Sequence, residues 1–250
     1  MDIDMTEQLI WYRKDIPIFE DLLTFKQGLI DDFMSGYSDL ASAVMQPQSI
    51  NSIDPANYSD EVMKMAEGML VTRDPTTLKW DTNFNSWKSL GINNIVKIGG
   101  EIKENWEIDE ESAKKVPTAV NLLNKYRHGL FGVVYSAIAP YTILHRHVGP
   151  ENIDGEYVRI HLPLIVPEGD VFLEVQGQEV EWNDIFAFNN QYLHSAYNFS
   201  KEWRLIMIID MARELCDLPP GRHYSEGGLE RELPFIRGWN FPVVLQPIRP

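Results

Sequence analysis

Cysteine is nearly absent. Cys216 is the only one in 250 residues, which excludes an internal disulfide and any cysteine-built zinc site. The chain also lacks any apolar run approaching the roughly 18 to 20 residues that a membrane helix needs, so no membrane partner is expected. Its opening, MDIDMTEQLIWYRKD, is acidic and does not follow the basic, apolar, small-residue order of a signal peptide. A reducing, cytoplasmic location is expected. Basic charge is scarce as well, with 22 Lys and Arg against 37 Asp and Glu, a net charge of -15. Such a surface repels a phosphate backbone, so nucleic acid is not an expected partner. A small ligand is not excluded, because the field inside a pocket can oppose the global sign.

What is present is apolar and aromatic material. Hydrophobic residues make up 44%, with 7 Trp, 11 Phe and 10 Tyr, enough for a large core. Residues 17 to 45 contain helix-compatible stretches such as PIFEDLLTFKQGLIDDF, and SDEVMKMAEGML (59 to 70) reads as a helix with Ser59 as its cap. A further helix is expected around 111 to 127, with Pro117 complicating its start. From about residue 130 the pattern changes to short segments rich in Val, Ile, Phe and Tyr: FGVVYSAI, YTILHRH, YVRIHLPLIV, VFLEVQ, EVEW, DIFAFNN and WRLIMIIDM. Turn-forming pieces, VGPENIDGE, PEGD, QGQ and YNFSKE, separate them. That spacing predicts an all-β sandwich or barrel. The organisation expected is a helix-rich region over 1-129 packing on a β core over 130-212, with 213-250 as a C-terminal wrap or lid.

The candidate chemistry lies in the β half. His145, His147, His161 and His194 fall within fifty residues, and histidine is the commonest side-chain metal ligand. In VRIHLPLIV a strand period of two puts Arg159, His161 and Pro163 on one face and Val158, Ile160, Leu162 and Leu164 on the other. Arg204 opens WRLIMIID, whose other residues are almost wholly apolar before Asp210. A guanidinium keeps its charge, so each arginine requires water, a protein carboxylate or a bound anion. Two arginines and a histidine facing one barrel interior point to a small dianion, against the alternative of ordinary salt bridges.

The motifs YSAIAP, HVGP, RIHLPL, the HSA of YLHSAYN, and WRLIMIID, spanning Tyr135 to Asp210, resemble the aspartyl/asparaginyl β-hydroxylase family of iron(II)/2-oxoglutarate-dependent oxygenases. They are also similar to bacterial cis-proline hydroxylases. The resemblance implies a mainly β fold with flanking helices, a double-stranded β-helix (jelly-roll, cupin-like) core and a helix-containing N-terminal half. It implies Fe(II) held by His147 and His194, with 2-oxoglutarate as cosubstrate and O2 as oxidant. Arg204 would grip the distal carboxylate of the cosubstrate with help from Ser136, and Arg159 and His161 would contact its metal side. The implied reaction is hydroxylation of an unactivated carbon in an amino acid or a peptidyl Asp/Asn-like substrate, with succinate and CO2 as coproducts. A small molecule or peptide is therefore the expected partner.

Most enzymes of this cofactor class add a carboxylate two residues after the first histidine. Here that position is Gly149, which cannot ligate. Water would complete the iron in a hydroxylase; chloride would do so in a halogenase; Glu151 or His145 are further candidates. A non-catalytic, cupin-like dicarboxylate-binding protein is the remaining alternative. Substrate contacts are expected from around Trp80 to Trp87, the 148 to 156 loop and the aromatic tail. Asn189 and Asn190 are either substrate-binding amides or turn formers.

Overall fold

The computed structural model describes residues 8-35, 70-82, 86-98, 101-105, 110-147, 149, 152 and 155-222. Two antiparallel sheets dominate. The strands are β1 (Ile10–Tyr12), β2 (Leu70–Arg73), β3 (Trp80–Thr82), β4 (Trp87–Ile98), β5 (Glu101–Asn105), β6 (Leu130–Ile138), β7 (Thr142–His147), β8 (Tyr157–Ile165), β9 (Val171–Val175), β10 (Gln178–Glu181), β11 (Phe186–Phe188), β12 (His194–Asn198) and β13 (Arg204–Ala212). One sheet has the order β1-β11-β8-β13-β6-β4-β5 and the other β10-β9-β12-β7-β2-β3. Within them β6-β13-β8-β11 and β7-β12-β9-β10 form two facing four-stranded layers, between which the chain passes back and forth. That winding is a double-stranded β-helix, a jelly roll of the cupin-like kind. Strands from before residue 130 extend it: β4 pairs with β6, β2 with β7 and β1 with β11.

The side-chain period of two divides the seven-stranded sheet into two unlike faces. Outward go Val133, Tyr135 and Ala137 from β6, Val158, Ile160, Leu162 and Leu164 from β8, and Leu205, Met207, Ile209 and Met211 from β13. They pack against Phe19 and Leu22 of α1 (Ile18–Thr24), Leu29 and Phe33 of α2 (Lys26–Ser35), and Ala119, Leu122 and Leu123 of α4 (Pro117–Tyr126). Fully burying each such aliphatic side chain contributes about 1.5-3 kcal/mol. The faces thus fall as the alternation in VRIHLPLIV predicts, leaving Arg159 and His161 between the sheets.

The helix expected over 111 to 127 is two helices, α3 (Glu110–Lys115) and α4, meeting at Val116. Pro117 takes the first position of α4, where its missing N–H costs nothing. The next amides are capped from a distance, because Asp32 of α2 accepts from the Thr118 and Ala119 N–H groups at 2.7 and 3.0 Å. Residues 59-69 of the expected helix lie outside the described residues, and Leu70 opens β2. Of the tail, Arg213–Cys216 form a single 3-10 turn, and residues beyond 222 lie outside the described residues. The structure also corrects the YNFSKE turn, because Tyr197 and Asn198 belong to β12.

Candidate active site between the two sheets

The space between the sheets is lined by two kinds of residue. Leu144, Leu173, Val175, Phe186, Phe188 and Ile206 form an apolar floor. Set among them are Ser136, Arg159, His161, His194, Arg204 and Asp210, all more than four-fifths buried.

His147 ends β7 and His194 begins β12, and the two are directly paired across the ladder. Their ring centroids lie 4.2 Å apart, with 54° between the planes. Nδ1 of His147 bonds the His145 carbonyl and Nδ1 of His194 bonds the Tyr192 carbonyl, each at 2.8 Å. A carbonyl can only accept, so both Nδ1 atoms carry the proton, and each neutral ring has its lone pair at Nε2. This is the tautomer that binds a metal, held by the backbone bond that commonly orients such ligands. Burial, and then the neighbouring His147, hold His194 well below the ordinary histidine range, which keeps it in the neutral, ligating form. Two convergent imidazoles of this tautomer fit a ferrous ion.

His145 does not join them. Between His194 and Ala196 the pairing partners shift from His147 to Leu144, so two steps on β12 match three on β7. This bulge breaks the period of two that would have aligned His145 with His147. Arg146, the next residue, pairs with Glu174 at 2.6 Å. Among the described residues no group of three His, Cys, Asp or Glu side chains is arranged to hold a metal ion. Gly149 uses its backbone, its N–H donating to the Asn190 carbonyl at 2.7 Å. Glu151 lies outside the described residues.

The two arginines differ. Arg159 donates through Nε and Nη2 to the two carboxylate oxygens of Asp210, at 2.7 and 2.8 Å. The salt-bridge alternative raised from the sequence is realised there. Arg204 is 2% exposed and has no carboxylate partner among the described residues. Its Nη1 donates to the Ser136 carbonyl at 3.3 Å, its guanidinium lies 4.4 Å over the Trp182 ring, and its Nε has no hydrogen-bond partner. Burial pulls its pKa down to about 9, which still leaves it charged at neutral pH. A buried cation with an unsatisfied N–H is costly unless an anion meets it. This orphaned donor fits the carboxylate of a dianionic cosubstrate.

Ser136 lies next to Arg204 through that carbonyl, and its hydroxyl accepts from the Trp87 indole at 3.0 Å. His161 is packed against Phe186 and Phe188 and receives the Trp182 indole N–H at 3.1 Å. Burial, then Arg204 and Arg159, hold it well below the ordinary histidine range. His194 in turn senses Arg159 and His161, so the polar residues form one electrostatically connected set. Asn189 and Asn190 act on the chain itself: Asn189 bonds Gln191, and Asn190 accepts from Asn152 at 2.8 Å. Trp87 and Trp182 were not singled out in the sequence as parts of the cosubstrate site, although each is bonded to a residue that was.

The family model described as Aspartyl/Asparaginyl beta-hydroxylase matches residues 55–214. A curated relative, the ornithine lipid ester-linked acyl 2-hydroxylase of Rhizobium tropici, is 27% identical over 149 residues, 58% of this chain and 47% of the relative. The chain thus spans about half the length of that protein. Among solved structures, an oxidoreductase of the 2OG-Fe(II) oxygenase family from Burkholderia pseudomallei gives a TM-score of 0.38 at 12% identity, over 56% of this chain and 72% of that one. A cupin 2 conserved barrel domain protein from Salinispora arenicola gives 0.25 at 14%, over 34% and 66%. With more than half of its length matched by the family model, the chain belongs to the aspartyl/asparaginyl β-hydroxylase family.

Proposed function

We propose that the protein is an iron(II)- and 2-oxoglutarate-dependent dioxygenase that hydroxylates an unactivated carbon. His147 and His194 would hold the metal through Nε2, and Arg204 would bind the distal carboxylate of 2-oxoglutarate beside Ser136. Arg159 and His161 would face the metal-side carboxylate. The observation that carries this reading is Arg204, a buried cation whose Nε has no partner and which no carboxylate among the described residues neutralises.

When bound, the iron and cosubstrate supply the oxidising chemistry, with O2 consumed and succinate and CO2 released. The chain's own residues bind, orient and keep out water. The backbone carbonyls of His145 and Tyr192 hold both metal-binding rings in the ligating tautomer. Arg204 provides a fixed positive charge in a water-poor interior, where it is worth more than in solvent. Asp210 balances Arg159, so among the described residues Arg204 is left as the unbalanced positive charge of the site. Asn152 donates to the Tyr157 carbonyl and to Asn190 at 2.9 and 2.8 Å.

In this reading residues 130-212 form the catalytic core, whose sheets β1, β2 and β4 extend. The substrate is an amino acid or a peptidyl Asp/Asn-like side chain. The Rhizobium tropici relative, named for its action on the acyl chain of a lipid, adds a lipid acyl group to the panel worth screening. Among the described residues no helix is long and apolar enough to cross a membrane.

The test is a screen of these substrates with iron(II), 2-oxoglutarate and air, following succinate and product mass. A product heavier by one oxygen atom, lost in His147→Ala, supports the hydroxylase. A chlorinated product in the presence of chloride would assign the position opposite Gly149 to halide. Binding of 2-oxoglutarate with no dependence on metal would make the protein a dicarboxylate binder.

A further inference from the structure

Trp182, just after β10, is 2% exposed and touches two residues of the proposed cosubstrate site at once. Its indole N–H points at Nδ1 of His161 at 3.1 Å, and its ring face carries the Arg204 guanidinium at 4.4 Å. An indole nitrogen donates and never accepts. Nδ1 of His161 must therefore be the acceptor and carry no proton, so the neutral ring has its proton on Nε2. This is the opposite tautomer to His147 and His194, whose Nδ1 atoms donate to carbonyls.

We propose that Trp182 is a positioning residue for 2-oxoglutarate, its N–H making His161 an Nε2–H donor and its ring holding the Arg204 guanidinium in place. The inference rests on the functional reading above and deepens it. In the other tautomer His161 would present a lone pair, which repels a carboxylate and competes as a ligand. The aromatic neighbours do not decide this. Phe186 and Phe188, edge-on to His161 at 5.4 and 5.1 Å, fix the plane of its ring but have no polar atom to choose between its nitrogens. Among the described residues the indole makes that choice. Any large apolar side chain would fill the space; the N–H and the electron-rich face are what an ordinary core residue lacks.

Two variants separate these contributions. Trp182→Phe keeps an aromatic face under Arg204 and removes the N–H, whereas Trp182→Leu removes both. The full-length chain is loaded with iron(II) under argon and titrated with 2-oxoglutarate by calorimetry. Nitrogen-15 NMR of the imidazoles is recorded on the metal-free protein, with His161→Gln assigning the signal. The wild type should show His161 protonated on Nε2, and Trp182→Phe a mixture of tautomers. The dissociation constant for 2-oxoglutarate should rise about fivefold in Trp182→Phe, as loss of one neutral hydrogen bond implies. In Trp182→Leu it should rise about tenfold or more. Should the Leu variant fail to fold, the Phe variant decides alone. An unchanged tautomer in Trp182→Phe, or an affinity within twofold of wild type, overturns the assignment of Trp182 while the functional reading stands. A wild type that binds no 2-oxoglutarate overturns both.

Discussion

Asp32 and Tyr135 on the outer face of the seven-stranded sheet and Arg204 on its inner face are buried polar groups handled in opposite ways. On the outer face, under the helices, Asp32 is 5% exposed and accepts from the Thr118 and Ala119 amides and the Thr118 hydroxyl, and Tyr135 donates to the Leu29 carbonyl at 3.1 Å. Every one of those groups is answered from within the chain. On the inner face Arg204 is as deeply buried and its Nε is not answered. Arg159, two strand positions from His161, shows that the inner face can neutralise an arginine when it supplies a carboxylate. Burial of a charge alone therefore says little. An unfilled donor alone is not enough either, since Nη1 of Arg213 also makes no hydrogen bond among the described residues. At Arg204 the unfilled donor lies between the sheets beside Ser136 and His161.

The first way to break this comparison is to remove the metal ligands. His147→Ala and His194→Ala are each expected to lower iron(II) affinity by about a hundredfold or more, since even groups that only support a ligand cost 10-100-fold. Equilibrium metal titration checks it, and substrate-dependent succinate formation should vanish in parallel.

The arginines give the sharpest contrast. Arg159→Met removes the cation that pairs with the buried Asp210 carboxylate and should destabilise the fold by about 3 kcal/mol in denaturant unfolding. Arg204→Met removes a buried charge that no carboxylate among the described residues balances. It should leave the apo protein as stable as wild type or more so, while weakening 2-oxoglutarate binding by about 30-fold or more. A marked loss of apo stability in Arg204→Met would mean that Arg204 is structural after all.

On the outer face, Asp32→Ala should cost about 1-2 kcal/mol through the lost cap and leave 2-oxoglutarate affinity unchanged. Burial raises the Asp32 pKa above the ordinary aspartate range, with its hydrogen bonds opposing. For an acid whose folded pKa is raised, the folded state holds the proton longer. Its contribution to stability is therefore greatest at low pH and falls as pH rises through the folded pKa. Urea unfolding across that acid range should show this slope in wild type and lose it in Asp32→Asn.

Much of this was legible in the sequence, and the reasons are specific. The alternation in VRIHLPLIV sorted Arg159 and His161 onto the inner face because a strand period of two leaves no other arrangement. His147, Arg159, His194 and Arg204 come from β7, β8, β12 and β13, strands that the sheet order brings around one interior. The parts that were not legible depend on tertiary partners. HSAYN is too polar and short to declare a strand, yet β12 is held between β7 and β9. β4 contains Gly91, Asn93 and Asn94 and owes its strand form to pairing with β6 and β5, an override of local preference. The bulge that turns His145 away from His147 has no sequence mark. Trp182 ends an unremarkable EVEW, and its meaning comes from His161 and Arg204 on two other strands.

The most direct test of the account is an anaerobic titration of the wild-type protein with iron(II) followed by 2-oxoglutarate, monitored in the visible region. A weak charge-transfer band should appear only when metal and cosubstrate are both present, and should be absent from His194→Ala. Tight 2-oxoglutarate binding in the absence of iron, or a full band in His194→Ala, would contradict the assignment of His147, His194 and Arg204.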